Sequence, residues 1–141
     1  MAKAMSITVA TADDMLAAFA ARCNNGVVKI YNGAIPADVR TALGAQVVLA
    51  EAPMGATAFN PAFTTNGNNR VATAQGTPFT DAEANVSDTA TFFRVFMADT
   101  TTPVWQGTVG TADADMIMAE TNIIAQGPVN IQSMSVSLPM T

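Results

Sequence analysis

The sequence predicts a mainly β fold: an antiparallel β-sandwich of jelly-roll-like form, or a small barrel, with one N-terminal α-helix. Three observations carry that prediction. Short runs of β-branched and aromatic residues recur between turn residues, about seven to nine of them along the chain. Helical periodicity is confined to the N-terminal region, so no βαβ alternation is present. Thr89–Gly110 holds the densest aromatic and β-branched content, in two runs parted by a polar segment ending at Pro103, and reads as a β-hairpin. Along its first run Thr91, Phe93, Val95 and Met97 point one way, and Ala90, Phe92, Arg94 and Phe96 the other. Both faces are largely apolar, so this strand belongs in mid-sheet. A second sheet is expected on one side and a helix, a loop or a neighbouring subunit on the other.

In chain order, residues 1–10 form an arm or short edge strand ending in Ser6–Ala10. Thr11 has the chemistry of a helix N-cap, with Asp14 in the capping-box position and Asp13 placed for the helix dipole. A helix over about 12–22 follows, with Met15, Leu16 and Phe19 on one face and Asn24-Asn25-Gly26 as its stop. Val27–Tyr31 is a strand closed by the turn pair Asn32-Gly33, and a connection with one helical turn leads to a strand at Ala45–Glu51. Residues 53–69, rich in Pro, Gly, Asn and Thr, read as a long loop over the surface. Within it Phe59 and Phe63 either plug the domain's own core or dock into a neighbour. Arg70–Ala74 is a short strand, Gln75–Pro78 a turn, and the acidic segment Asp81–Asp88 leads into the hairpin. Met116–Met118 and Asn122–Ile124 are short strands. In Val129–Leu138 the apolar positions change phase, from Val129 and Ile131 to Met134, Val136 and Leu138. One residue must be absorbed near Gln132-Ser133, as a β-bulge or as a change of sheet.

A chain of 141 residues suits a single domain able to bury a core without metals or disulfides. Charged residues make up 12%, against roughly 25% in ordinary soluble proteins. A surface of Thr, Ser, Asn, Gln and Ala loses little on being pressed against another protein, because few ions need desolvating. The net charge is −5 and the six basic residues are scattered, so no stripe exists for a phosphate backbone and nucleic-acid binding is disfavoured. No run of about 18 apolar residues suits a membrane span, and the N-terminus lacks a signal-peptide core.

The chain has no histidine and one cysteine, Cys23, which excludes triads, His-based acid–base pairs and zinc sites. Cys23 is expected as a reduced, partly buried thiol beside the helix. Asp81, Glu83 and Asp88 on one segment and Asp113 and Asp115 on another offer oxygens to a Ca²⁺ only if the fold brings the two together, and solvated turns explain them more simply. Trp105 and Tyr31 have the chemistry to stack on a sugar, though a lone Trp in an alternating strand is more often core. The nine methionines read as pliable core filler.

A short amphipathic N-terminal helix, the strand Gly26–Gly33 followed by Pro36, the strand Thr89–Phe96, then Gln106–Gly110 and a closing Gly127–Ile131 with Pro139 together resemble small virion structural proteins of tailed bacteriophages. The resemblance runs over nearly the whole chain. It implies a non-enzymatic capsid cement or decoration protein without cofactor or metal, made in the host cytoplasm and sited on the capsid surface. Its partners would be the major capsid protein and further copies of itself, a trimer being favoured. The 53–69 loop and the N-terminal arm are then the parts expected to reach neighbours, with Phe59, Phe63, Phe92 and Phe96 as candidate interface residues. No catalytic motif transfers. A tail or head-to-tail joining protein is the close alternative, and a carbohydrate-binding sandwich the alternative of another class.

Overall fold

The structure, a computed structural model, describes residues 4–75 and 79–141. Its single helix among them, α1 (Val9–Cys23), starts about one turn earlier than the sequence pattern places it. Thr8 is the N-cap, its hydroxyl accepting from the Thr11 amide at 3.2 Å. The expected Thr11–Asp14 capping box therefore does not form, and Ser6–Ala10 supplies no strand: Val9 and Ala10 belong to the first turn. Both threonines carry a capping hydroxyl, and the upstream one wins because the longer helix satisfies more backbone groups. Asp13 accordingly serves the second turn rather than the first. It binds Arg70 through both carboxylate oxygens, at 2.6 and 3.2 Å, and so ties the helix to the sheet. The buried stripe is Ala12, Leu16 and Cys23, with half-buried Phe19 beside it, while Met15 turns outward. Asn25 takes the left-handed conformation expected of the stop, at φ 58°. Gly26 is needed for a different reason: a Cβ there would stand 2.2 Å from the Phe96 carbonyl oxygen.

The strands are β1 (Val27–Tyr31), β2 (Val48–Pro53), β3 (Thr64–Asn66), β4 (Asn69–Thr73), β5 (Phe79–Asp81), β6 (Asp88–Thr89), β7 (Phe92–Phe96), β8 (Pro103–Gly110), β9 (Met116–Met118), β10 (Asn122–Ile123) and β11 (Val129–Pro139). The main sheet has the order β2-β1-β7-β8-β9-β11-β4-β3, with β5 also on β11, and β6 and β10 make a separate ribbon. As the doubly apolar pattern requires, β7 lies in mid-sheet between β1 and β8, and all five of its residues are buried. The fold is thus mainly β and sandwich-like, with two departures from expectation.

The sheet is mixed rather than wholly antiparallel, because β9 runs parallel to β8 through Val109–Met116 and Gly110–Ile117. The intervening turn is folded back by Asp115, whose carboxylate takes the Thr108 amide at 2.9 Å, so the chain re-enters beside β8 in the same direction. Nor is the sheet a closed barrel: β2 and β3 end it. It curls until β5 approaches β2, where the Asp81 carboxylate accepts from the Glu51 amide at 2.9 Å and Asn85 N donates to Leu49 O at 2.7 Å.

Smaller differences follow the same logic of local against tertiary pairing. The second strand is shifted to Val48–Pro53 by its register with β1. The 34–44 connection has no helix but a turn in which Asp38 accepts from the Arg40 and Thr41 amides. The 53–69 loop is shorter than its composition implies, since Thr64–Asn66 folds back on β4 as a hairpin. The expected turn at Gln75–Pro78 lies largely outside the described residues, as do the first three residues of the arm. The phase change in β11 is a bulge between Ile131 and Ser133; β9 stays paired across it, while past it β11 pairs with β4 instead of β5.

Two apolar clusters lie on opposite faces of the β1–β7 pair. The inner face presents Val28, Ile30, Phe93 and Val95 to Leu16, Met116, Ile131 and Met134. The outer face presents Tyr31, Phe92 and Phe96 to Leu43 and Val48.

Candidate functional site

The outer cluster is covered by the chain's own 33–44 connection, a strap held down by side chains of the sheet. Arg94, 4% exposed, donates from Nε to Gln106 Oε1 at 2.9 Å and from Nη2 to the carbonyls of Thr41 at 2.6 Å and Asp38 at 3.3 Å. Gln106 completes the grip by donating to Pro36 O at 2.9 Å, and Thr91 donates its hydroxyl to Gly33 O at 2.7 Å. A buried guanidinium ordinarily demands a carboxylate. Here carbonyl dipoles take that place, because the Asp38 carboxylate turns to Arg40, whose hydrogen bond holds its pKa below the usual value. Lys29 shares this face, 3.5 Å from Glu51 and 4.9 Å from the centre of the Phe96 ring.

This arrangement places each residue singled out from the sequence. Tyr31 stacks on Phe92, with centroids 5.0 Å apart and planes within 13°, and burial raises its phenol pKa. Trp105 lies on the opposite, inner face, edge-on to Phe93 at 4.8 Å and to Phe19 at 5.8 Å. The two aromatics proposed to stack a sugar therefore cannot meet one ligand, and both are packed. Trp105 Nε1 is buried without a hydrogen bond of ordinary geometry, and the polar atom beside it is the Cys23 thiol. Burial pushes that thiol up to about 11, although the indole N–H and Arg22 pull the other way. Cys23, fully rather than partly buried, is thus a protonated core residue and not a nucleophile.

The carboxylates hold turns together. Asp81 accepts from Glu51 and Glu83 amides, Asp88 from Asn32 and Thr89, and Asp115 from the Thr108 amide and hydroxyl. Asp115 comes so close to β8 that a Cβ at Gly107 would stand 2.8 Å from it. In the hairpin turn, hydrogen bonds from Thr102 and Thr101 hold Asp99 down at about 2. The two acidic segments considered for Ca²⁺ do not converge: among the described residues no three acidic or cysteine side chains are grouped for a metal.

Of the four candidate interface residues, Phe59, Phe92 and Phe96 are buried against this chain's own residues and offer almost no surface. Phe59 packs on Phe19 at 5.6 Å and sits on a bridge to Ala74. Phe63 is half-buried, beside an apolar groove between α1 and the 57–63 segment.

A second opening escaped the sequence reading. The β9–β11 ladder ends at the Met118–Ile131 pair, and beyond it the chains part around a cleft of about 310 Å³. Buried Ile123 and Val129 line it, with Ile124, 67% exposed, at its lip and Glu120 on its wall. The Ile123-Ile124 doublet was the available signal, since adjacent residues of an extended chain face opposite ways. No protein-family profile, curated protein or solved structure matches the chain.

Proposed function

We propose that the protein is a non-enzymatic structural component of a tailed-bacteriophage virion, a cement or decoration protein that binds across subunits of the major capsid protein on the capsid surface. The observation that carries this reading is the engagement of most of its few charges within the fold. Asp13, Asp38, Asp81, Asp88, Asp99 and Asp115 all accept hydrogen bonds from their own chain. Most of the rest of the outside is Thr, Ala, Asn and Ser, with a few exposed charges such as Asp14, Glu83, Asp113 and Glu120 and scattered aliphatic residues such as Met5, Val9, Met15, Val86 and Ile124. Such a surface is easily desolvated, which suits repeated modest contacts in a shell better than recognition of a charged substrate. The resemblance quoted from the sequence supports the same reading, and its strands Gly26–Gly33, Thr89–Phe96 and Gln106–Gly110 fall in the β1, β7 and β8 region that builds the core.

The test is the number of copies per main shell subunit in purified particles. A ratio near one, or a simple fraction of it, supports a cement. A handful of copies moves the protein to the tail or the head-to-tail connector, and absence from particles refutes the virion reading.

A further inference from the structure

The cleft beside β11 has one acidic side chain in its lining, Glu120, and further carboxylates on the neighbouring strands. Asp88 is the cross-strand partner of Ile123, and Asp81 is that of Val129. Glu83 precedes Ala84, whose amide donates to Gly127 O on the cleft's wall. Glu83 and Glu120 form no ion pair among the described residues, and no Lys or Arg lines the opening. An occupant should therefore bring one large apolar side chain and a cation close to it.

This sequence carries such a segment at the other end of β11. Ile7 N donates to Met140 O at 2.8 Å, and ahead of it stands Met5, 85% exposed, the most exposed large hydrophobic residue among those described. The sequence places Lys3 two residues before Met5. The other basic residues face their own chain: Lys29 on Glu51, Arg40 on Asp38, Arg70 on Asp13, Arg22 on the Met97 sulfur and Arg94 in the sheet. Ten residues of strand separate Met140 from Asn130 at the cleft, about 33 Å at the rise of a β-strand. From Ile7 to Met5 an extended chain reaches about 7 Å. Met5 cannot reach the cleft of its own chain.

We propose that the Lys3–Met5 arm of one copy docks in the apolar cleft beside β11 of a second copy, with Met5 against Ile123 and Val129 and Lys3 against Glu120. A dry cavity of about 150 Å³ holds a benzene-sized guest, so about 310 Å³ accepts a methionine side chain. Each copy gives one arm and receives one, so the contact makes a reciprocal pair, a closed ring or an open chain of copies, according to the rotation it imposes. The proposal deepens the homo-oligomeric part of the reading above and rests on it only there.

Sedimentation of the full chain from micromolar to submillimolar concentration tests it. The expected result is a species heavier than the 14.6 kDa monomer that dissociates on dilution. Lys3→Glu and Glu120→Lys should each weaken association about tenfold, and the double variant should restore most of it, because the pair is re-formed with its signs exchanged. Met5→Asp, at a fully solvated position, should abolish association and leave the melting temperature unchanged. A chain that is monomeric throughout, or an oligomer indifferent to these substitutions, overturns the proposal. Copy counting in particles is independent of this result. Abundance in particles with a monomer in solution removes the arm and keeps the virion reading, and arm-dependent oligomers absent from particles do the reverse.

Discussion

Arg94→Met isolates the grip on the strap. Methionine keeps the apolar stem that packs between Phe92 and Phe96 but cannot donate to Gln106, Asp38 O or Thr41 O. Hydrogen bonds from a charged donor contribute about 1.5–3 kcal/mol each, so the three together amount to roughly 4–9 kcal/mol before desolvation. Removing the buried cation also removes its desolvation penalty, several kcal/mol, and the released carbonyls lie on a surface segment where water can reach them. The net loss is then about 2–4 kcal/mol. With a urea dependence of about 2 kcal/mol per molar for a protein of this size, the midpoint should fall by about 1–2 M. Hydrogen exchange gives the second readout. The Thr41, Gly44 and Val47 amides, bonded to side chains at Asp38, Gln46 and Asn32, should lose protection while the β7–β8 ladder keeps it. An unshifted midpoint together with unchanged exchange in the strap would refute the assignment of Arg94 as its anchor.

Three further outcomes are expected. Gly26→Ala drives a Cβ against the Phe96 backbone oxygen, which no side-chain rotation relieves, and should cost about 3 kcal/mol or more, read as a loss of soluble protein or a large drop in melting temperature. Phe59→Ser should cost about 3–5 kcal/mol and half-buried Phe63→Ser about 1–2 kcal/mol in chemical denaturation; equal effects would contradict their different burial. For Cys23, the folded chain keeps a proton up to about 11 that an unfolded thiol releases near 9.0, so stability should fall as pH rises through that window. The buried Tyr31 phenol adds in the same direction. Cys23→Ala should flatten the fall, and melting curves of the two proteins with equal pH slopes would show that burial does not hold the thiol protonated.

The legible parts of this fold are those where a strand's period of two leaves no slack. Five consecutive residues, Phe92–Phe96, whose two faces are both apolar apart from Arg94, admit only a central strand, and the phase change after Ile131 admits only a bulge or a change of sheet. The parallel β8–β9 pair was illegible because three residues, Met116–Met118, cannot declare a direction, and the contact that sets it joins Asp115 to Thr108 in space. The helix start was ambiguous between two threonines with the same hydroxyl. At the outer face Arg94 was visible as a cation among phenylalanines. Its partners were not, because the backbone carbonyls of residues 36–41 carry no sequence signature.

That last point changes what the doubly apolar strand implies about assembly. Apolar residues on both faces of β7 require a cover on each, and a neighbouring subunit was one of the covers the pattern allowed. The strap supplies the outer cover from within the chain, and Arg94 and Gln106 hold it by its carbonyls, so Phe92 and Phe96 need no partner for their burial. The argument for association therefore rests on what remains outside. Neutral polar residues cover most of that surface, and it carries two further apolar features: exposed Met5 at one end of β11 and, at the other, an apolar cleft with Glu120 on its wall. Their separation along β11 keeps Met5 from the cleft of its own chain, so the two could meet only between copies, which makes the solution mass of Met5 and Glu120 variants the sharper question to put to this protein than any substitution in its phenylalanine core.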